Sequence, residues 1–256
     1  MFFEHSTFIG IDPTAGRRPF AYAALDGNLR MLALGQGVID EVLAFVAGQH
    51  QAAVAVCAPR QPNLRVMERP EVRELLIPPP KPGRWGNFRM AEYLLRQHHI
   101  NSHKTPSQEK DCPNWMRMGF KLHHRLEEEL GYRAYPGEDS QNVSLEVYPY
   151  ACYTVLLGQP PYPKNALEGR LQRQLVLYEQ KINVHDPMRF FEEITRHRLL
   201  HGMLPEEGVY TPGELDALVA AFTAWKAVLH PEQVTCLGHP DEGQVVLPVA
   251  ELKSRY

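Results

Sequence analysis

The first third of the chain alternates short apolar runs with turns, and this pattern predicts the order β-β-β-α-β. Strands are predicted at residues 6–12, 20–26 and 29–34, joined by connections short enough for an antiparallel meander. Apolar residues at helical spacing then predict a helix over residues 38–49. The continuous apolar run at residues 52–59 follows this crossover helix, so we expect a buried strand parallel to the first.

The rest of the chain carries mostly helical patterns, which cover residues 88–131 (with interruptions), 165–182, 186–202 and 211–230. A strand is predicted at residues 143–149, and the apolar residues 245–247 predict a short strand or an extended segment. The last helix has the strongest start signal, because Thr211-Pro212-Gly213-Glu214 combines an N-cap, a first-turn proline and a capping-box glutamate. A stripe of alanines beside its apolar face predicts close packing against a sheet.

Three carboxylates stand in apolar surroundings where acids are scarce. Asp12 ends the first predicted strand, Glu146 lies near the end of the strand at 143–149, and Asp216 lies in the first turns of the last helix. Grouped carboxylates repel one another unless a cation lies among them, and such oxygen-rich sets suit Mg²⁺ or Mn²⁺. Each acid alone is also compatible with a capping or surface role, and early helix positions such as that of Asp216 favour acids.

Residues 60–90 are rich in proline and base, with seven arginines and lysines against three glutamates. This composition indicates either a solvated insertion or a loop that contacts phosphates. Arg60 at the start of this segment, and Arg17 and Arg18 just after Asp12, are candidates for binding an anionic substrate. Arg17 and Arg18 are equally compatible with exposed turn positions.

Composition sets the outer bounds. With 256 residues, 44% of them hydrophobic, the chain is long enough for one large α/β domain or two small ones. The formal net charge of −3 argues against a surface coated uniformly in base. The four cysteines lack CxxC spacing, which argues against a zinc knuckle and for reduced thiols. Without a leader pattern or a long apolar run, we expect a cytoplasmic protein with no membrane segment.

Several segments resemble a known family. The stretches IGIDPTAGRRPFAYAALD, LEVYPYACYTVLLG and LDALVAAFTAW, followed by EGQVVLP, are similar to domain-of-unknown-function family 429 (DUF429). That family is grouped with predicted nucleases of the ribonuclease-H-like fold. The resemblance spans nearly the whole chain and implies one such domain over residues 1–256, with a basic, proline-rich insertion at about 60–90. It implies a mixed five-stranded sheet, a three-stranded antiparallel meander plus parallel strands, flanked by helices and carrying helical insertions.

By the same resemblance, the acids of the family fall on Asp12, Glu146 and Asp216, which would then ligate Mg²⁺ or Mn²⁺. One position departs from the family pattern. The fourth strand commonly carries an acid in a pattern like I-D-A-P, whereas here it reads Val56-Cys57-Ala58-Pro59. A thiol in place of a carboxylate removes one hard oxygen ligand. The site would then hold one metal, bind it weakly, use another acid such as Glu74, or be inactive.

Three functions follow as hypotheses. The first is a metal-dependent nuclease that hydrolyses phosphodiester bonds in nucleic acid. The second is a phosphoryl-transfer enzyme of the actin or sugar-kinase type, because those folds also begin with a strand, an acid and a loop. The third is a non-catalytic binding protein on a decayed nuclease scaffold, which the thiol at Cys57 favours.

Overall fold

The structure is a computed structural model, and it describes residues 6–14, 18–77, 79–80, 85–137 and 142–256. These residues form a mixed sheet with helices on both faces. Its eight strands are β1 (Thr7–Asp12), β2 (Phe20–Leu25), β3 (Met31–Gly37), β4 (Ala52–Val56), β5 (Arg133–Ala134), β6 (Val143–Val147), β7 (Thr235–His239) and β8 (Gly243–Leu247).

The strands lie in the order β3-β2-β1-β4-β6-β8-β7, and β5 pairs with β6. Strands β1, β2 and β3 are antiparallel neighbours, whereas β4 is parallel to both β1 and β6. The predicted meander and the predicted parallel crossover are therefore confirmed. The expected count of five strands is too low, because β5, β7 and β8 also join the sheet. Strand β7 was not predicted, since its sequence Thr-Cys-Leu-Gly-His lacks a clear alternation.

Nine α-helices lie within the described residues: α1 (Ile39–Ala47), α2 (Pro70–Glu74), α3 (Met90–Gln97), α4 (Asn114–Glu128), α5 (Pro149–Leu157), α6 (Leu167–Glu179), α7 (Arg189–Glu193), α8 (Arg196–Leu200) and α9 (Pro212–Leu229). The single helix predicted over 186–202 is broken into α7 and α8. The break occurs because Ile194 is extended and the Thr195 hydroxyl accepts a hydrogen bond from the Arg198 amide, which caps α8.

The two largest parts of the core lie on opposite faces of the sheet. On the first face, α9 packs against Phe8 of β1, Ala55 of β4 and Leu145 of β6. On the second face, α1 and α4 pack against Ile9, Ile11, Val54 and Val56. Successive side chains of a strand point to opposite faces. In β1, β4 and β6, the face toward which a side chain points can therefore be read from the faces that the residues before and after it occupy.

Helix α9 lies unusually close to β1 because Gly10 has no side chain. A Cβ atom built on Gly10 would lie 1.9 Å from the Ala217 carbonyl oxygen and 2.4 Å from the Ala221 amide nitrogen. Ala217 and Ala221 are both fully buried. The predicted alanine stripe therefore does lie against the sheet, and this contact fixes the first turns of α9 beside the end of β1.

Within the described part of the chain, none of the helices combines the length and the apolar character needed to cross a bilayer.

Candidate functional site

Asp12 and Asp216 come together at the carboxyl end of β1. Asp12 is the last residue of that strand and points to the same face as Phe8, the face covered by α9. The first turn of α9 lies over it, since a Cβ atom on Gly213 would be 3.6 Å from the Asp12 Oδ2 atom. The capping box of Thr211 and Glu214 fixes where this helix begins. The carboxyl ends of parallel strands are the usual place for ligand sites in α/β sheets.

A lysine that was not singled out from the sequence completes this cluster. Lys164 precedes α6, and its Nζ atom donates a hydrogen bond to the Asp216 Oδ2 atom at 2.7 Å. Half of the Lys164 side chain is exposed, whereas the Asp216 side chain is only 9% exposed. A basic residue in a polar loop carries no local signal for such a role. Only the fold shows that this cation reaches the two acids from the solvent side.

The cluster contains two acids, Asp12 and Asp216, and one base, Lys164. Burial, and then the negative charge of Asp216, raise the pKa of Asp12 from 3.8 to about 6, against the opposing effects of Lys164 and of the Thr14 amide. That amide donates to the Asp12 Oδ1 atom at 3.1 Å. Burial lowers the pKa of Lys164, but the carboxylates of Asp216 and Asp12 together more than offset this and leave the pKa raised. Positive charge beside Asp12 would favour its ionised form.

Cys57 lies beside the aspartates as a neutral thiol. It follows β4, its amide donates to the Ile11 carbonyl at 2.9 Å, and its Sγ atom lies 3.5 Å from the Asp216 carbonyl oxygen. Burial, and then the charges of Asp12 and Asp216, raise the pKa of the thiol well above its usual value. The thiolate is the form that binds metals and attacks electrophiles. At neutral pH and beside two carboxylates, Cys57 is therefore held as the neutral thiol.

Glu146 lies on the other face of the sheet. Its neighbours Leu145 and Val147 both pack in the core under α9, so the side chain between them points toward α4. There the Arg89 guanidinium donates to both carboxylate oxygens, at 2.7 and 2.8 Å, and the Arg60 amide donates to one of them at 3.0 Å. The structure thus brings Asp12 and Asp216 together and does not bring Glu146 to them.

The Arg89–Glu146 pair belongs to a buried network that ties the two ends of the segment 60–90 to the sheet. Arg89 is 1% exposed and also donates to the Glu242 carbonyl oxygen. The Glu242 side chain is fully buried and accepts hydrogen bonds from the amides of Leu64, Val66 and Met90. Buried carboxylates need such partners, and here every one is supplied by the protein. This network gives Glu146 a structural explanation that sequence spacing could not reveal.

The predicted substrate-binding arginines are dispersed. The Arg60 guanidinium donates to the Ser144 hydroxyl at 3.2 Å and forms an ion pair with Glu127, so it is engaged on the face of α4. Arg18 is exposed, and Arg17 lies outside the described residues. Glu74, the alternative ligand, is an exposed residue at the end of α2. The roles assigned to these residues remain predictions.

A cleft lined partly by aromatic residues lies next to the cluster. It was not predicted from the sequence. Cys57, Glu92, His103, Trp115 and Tyr148 lie among its lining residues. The Glu92 carboxyl accepts a hydrogen bond from the Thr105 hydroxyl at 2.5 Å, and burial raises its pKa to about 7. These residues come from separate helices and loops, so no sequence motif predicts the cleft.

A divalent cation fits the two aspartates better than it fits the predicted set of three acids. Among the described residues, no group of three or more His, Cys, Asp or Glu side chains is arranged to hold a metal. Mg²⁺, however, is commonly held by one or two carboxylates and keeps several waters. Asp12 and Asp216 supply hard oxygen donors in a place where negative charge is poorly compensated. The donor set therefore suits Mg²⁺ or Mn²⁺ and does not suit a thiolate-bound metal.

Comparisons with known proteins give one finding. Neither the curated proteins nor the solved structures contain a match to this chain. A family model described as "Protein of unknown function (DUF429)" matches residues 10–242, which is most of the chain. The match begins within β1 and ends at Glu242, so it includes Asp12, Glu146 and Asp216. The chain is thus a member of the DUF429 family.

Proposed function

We propose that this protein is a metal-dependent nuclease in which Asp12 and Asp216 hold a Mg²⁺ or Mn²⁺ ion. The observation that carries the proposal is the convergence of these two carboxylates at the carboxyl edge of the sheet, where burial and mutual repulsion raise the pKa of Asp12 to about 6. An acid whose pKa is raised by burial and by a neighbouring carboxylate is typical of a functional site. The resemblance to predicted nucleases supports hydrolysis of phosphodiester bonds as the reaction.

Strand order supports the same proposal. The segment β3-β2-β1-β4-β6 joins an antiparallel meander to parallel strands, with α1 as the crossover between β3 and β4. This is the arrangement expected of a ribonuclease-H-like core. In this proposal β5, β7 and β8 are additions around that core. Fold analogy alone does not establish an activity, so the proposal depends on the site.

Each residue of the site has a separate task in this proposal. Asp12 and Asp216 would hold the cation, which when bound supplies an activated water and stabilises charge on the leaving oxygen. Lys164, whose side chain is half exposed, would contact a phosphate of the substrate from the solvent side. Cys57 fills space beside the acids as a neutral thiol. Glu146 supports the segment 60–90 through Arg89 and has no role at the cation.

A cleavage assay tests the proposal. Labelled single-stranded, duplex, RNA–DNA hybrid and branched oligonucleotides would be incubated with the protein in Mg²⁺, in Mn²⁺ and in EDTA. We expect cleavage that requires the metal and that is lost in Asp12→Asn and Asp216→Asn. Asp40→Asn is the matched control, because Asp40 is an exposed acid in the first turn of α1 on the other face of the sheet. Cleavage that survives Asp12→Asn would overturn the proposal.

A second candidate is a non-catalytic binding protein on the same scaffold. Two observations favour it: Lys164 already neutralises one acid, and the fourth strand offers a thiol instead of a carboxylate. A ligand that binds the native state must raise its stability. If neither Mg²⁺ nor Mn²⁺ raises the melting temperature, this candidate replaces the nuclease. Phosphoryl transfer stays a prediction, since residues 15–17 of the relevant loop lie outside the described residues.

A further inference from the structure

Four rings form a continuous aromatic surface beside the candidate site. The His103 ring lies 5.2 Å from that of Trp115 and 5.4 Å from that of Tyr148, both edge to face. The Tyr150 ring lies 6.0 Å from that of Tyr148. His103 is exposed, and the other three rings are partly exposed. The group, here called the aromatic cleft, packs against the core through Trp115, Tyr148 and Tyr150 and leaves part of its ring surface exposed to solvent.

The aromatic cleft is continuous with the carboxylate cluster. Cys57 lines the cleft and also contacts the backbone of Asp216. Asp12 ends β1, Cys57 follows β4 and Tyr148 follows β6, and these three strands are neighbours in the sheet. Adjacent strands are about 4.8 Å apart, so the backbone at Tyr148 is roughly 10 Å from that at Asp12. A ligand that occupies the cleft would thus extend naturally toward the aspartates.

Charge around the aromatic cleft suits a phosphate backbone. Burial, and then the positive charges of Lys164 and Arg96, lower the pKa of His103. The Arg96 side chain donates a hydrogen bond to the hydroxyl of Ser102, the residue before His103, at 3.1 Å. Lys104 adds a third base, which is exposed and has its Nζ atom 4.7 Å from the centre of the Phe88 ring. The nearby acids are Asp12 and Asp216 in the cluster, and the buried Glu92 and Glu146 among the residues that line the cleft. Glu146 is paired there with Arg89. Cations at the rim and rings between them match a chain of alternating phosphates and bases.

We propose that the aromatic cleft binds an unpaired base of single-stranded nucleic acid by stacking, and so makes single strands the substrate of the site. The proposal deepens the proposed nuclease function and rests on it for the role of the aspartates. Proteins that bind single strands without sequence preference combine a basic groove with aromatic rings on which bases stack. The bases of a duplex are paired and stacked on one another, so they cannot reach these rings without being extruded.

Binding in the absence of metal tests this subsite separately from cleavage. Fluorescence anisotropy in EDTA would compare labelled single-stranded 12-mers of DNA and RNA with the matching duplexes. We expect single strands to bind more tightly than duplexes, and His103→Ala and Trp115→Leu each to weaken that binding by about tenfold. His124→Ala is the matched control, because His124 is an exposed histidine of α4 that does not line the cleft. Because His103 is exposed, its variant keeps the test valid if Trp115→Leu does not fold.

The outcomes separate this subsite from the nuclease proposal. Duplexes that bind as tightly as single strands, or binding that is unchanged in His103→Ala, would overturn the subsite even if metal-dependent cleavage is found. Binding of single strands that depends on the rings, in a protein that cleaves nothing, would support the subsite and remove the nuclease. A mononucleotide that competes as effectively as a 12-mer would also overturn the proposal, because the cleft would then recognise a free nucleotide.

Discussion

The Arg89 guanidinium binds both oxygens of the Glu146 carboxylate, at 2.7 and 2.8 Å, in an interior where each side chain is at most 5% exposed. Burial lowers the pKa of Arg89, but three acids, Glu146 first and then Glu92 and Glu242, together more than offset this, so the pKa is raised. Glu146 therefore has its counter-ion within the fold. This pair divides the three acids into two groups with different tasks: Asp12 and Asp216 form the candidate cation site, and Glu146 holds the segment 60–90.

Removing one member of the buried pair should destabilise the protein strongly. Arg89→Met leaves the Glu146 carboxylate buried without its partner, which typically costs about 3–5 kcal/mol. The double variant Arg89→Met with Glu146→Gln should recover part of that loss, because no uncompensated charge remains. Urea unfolding of the wild type, both single variants and the double variant measures the coupling. Additive effects of the two changes would contradict a direct pair.

Asp12 should make stability fall as the pH rises. Its pKa is about 6 in the fold against 3.8 for an ordinary aspartate, so the folded state binds the proton more tightly than the unfolded state does. Ionisation of Asp12 therefore lowers the free energy of unfolding. This destabilisation is absent when the pH is below the pKa of Asp12 in the unfolded state, and it is complete when the pH is above its pKa in the folded state. We expect Asp12→Asn to raise this free energy by about 1–3 kcal/mol at pH 8 in EDTA, and by much less at pH 4. Denaturant unfolding at both values measures it.

The control for this experiment is Asp40→Asn. Its hydrogen bond and ion pair with Arg125 lower the pKa of Asp40, so ionisation of that acid favours the folded state. This variant should therefore lose rather than gain stability at pH 8. A stability gain in Asp12→Asn that is the same at pH 4 and pH 8 would show that the effect is not one of ionisation.

The central strands could be predicted from sequence because their signals are local. The apolar run at β4 and the crossover helix before it fix a parallel neighbour for β1, and the Thr211 capping box fixes the start of α9. Helix α5 was missed, since Pro149 was interpreted as the end of a strand although it occupies the first turn of a helix. Strand β7 forms by pairing with β8. The sequence of β7 alone does not predict a strand.

The close contact between Gly10 and α9 should tolerate no side chain. In Gly10→Ala the new Cβ atom would meet the Ala217 carbonyl, a backbone atom that moves only with the helix. Overpacking of this kind typically costs about 1–3 kcal/mol or more, and displacement of α9 would also separate Asp216 from Asp12. Thermal unfolding measures the loss. Gly208→Ala is the matched control, because a Cβ atom there meets nothing within 4 Å. Equal stability of the two variants would contradict the contact.

Lys164 should compete with a divalent cation for the two aspartates. Its ammonium group donates to Asp216 and its charge acts on Asp12, so Lys164→Met leaves the acids without a cation. We expect this variant to bind Mn²⁺ about two- to fivefold more tightly, since an ion pair whose lysine is half exposed is worth roughly 1 kcal/mol or less. Calorimetry measures the affinity, and Lys164→Arg serves as the charge-retaining control. Weaker binding in Lys164→Met would show that Lys164 does not oppose the metal.

The site was only partly accessible to sequence analysis. Asp12 and Asp216 were recognisable because a strand end and a helix start each place an acid in an apolar setting. Glu146 gave the same signal, yet its partner Arg89 lies 57 residues away, and only the alternation of β6 shows which face it occupies. Lys164 reaches Asp216 across 52 residues, and the aromatic cleft joins three separate segments. Such contacts depend on the whole fold.

Mn²⁺ binding measured by calorimetry on four proteins tests the central claim most directly. These are the wild type, Asp12→Asn, Asp216→Asn and Glu146→Gln, each checked by its melting temperature so that loss of folding is not mistaken for loss of a ligand. The two-aspartate site predicts that the wild type and Glu146→Gln bind Mn²⁺ and that Asp12→Asn and Asp216→Asn do not. Binding that persists in Asp12→Asn, or a folded Glu146→Gln variant that no longer binds, would contradict it.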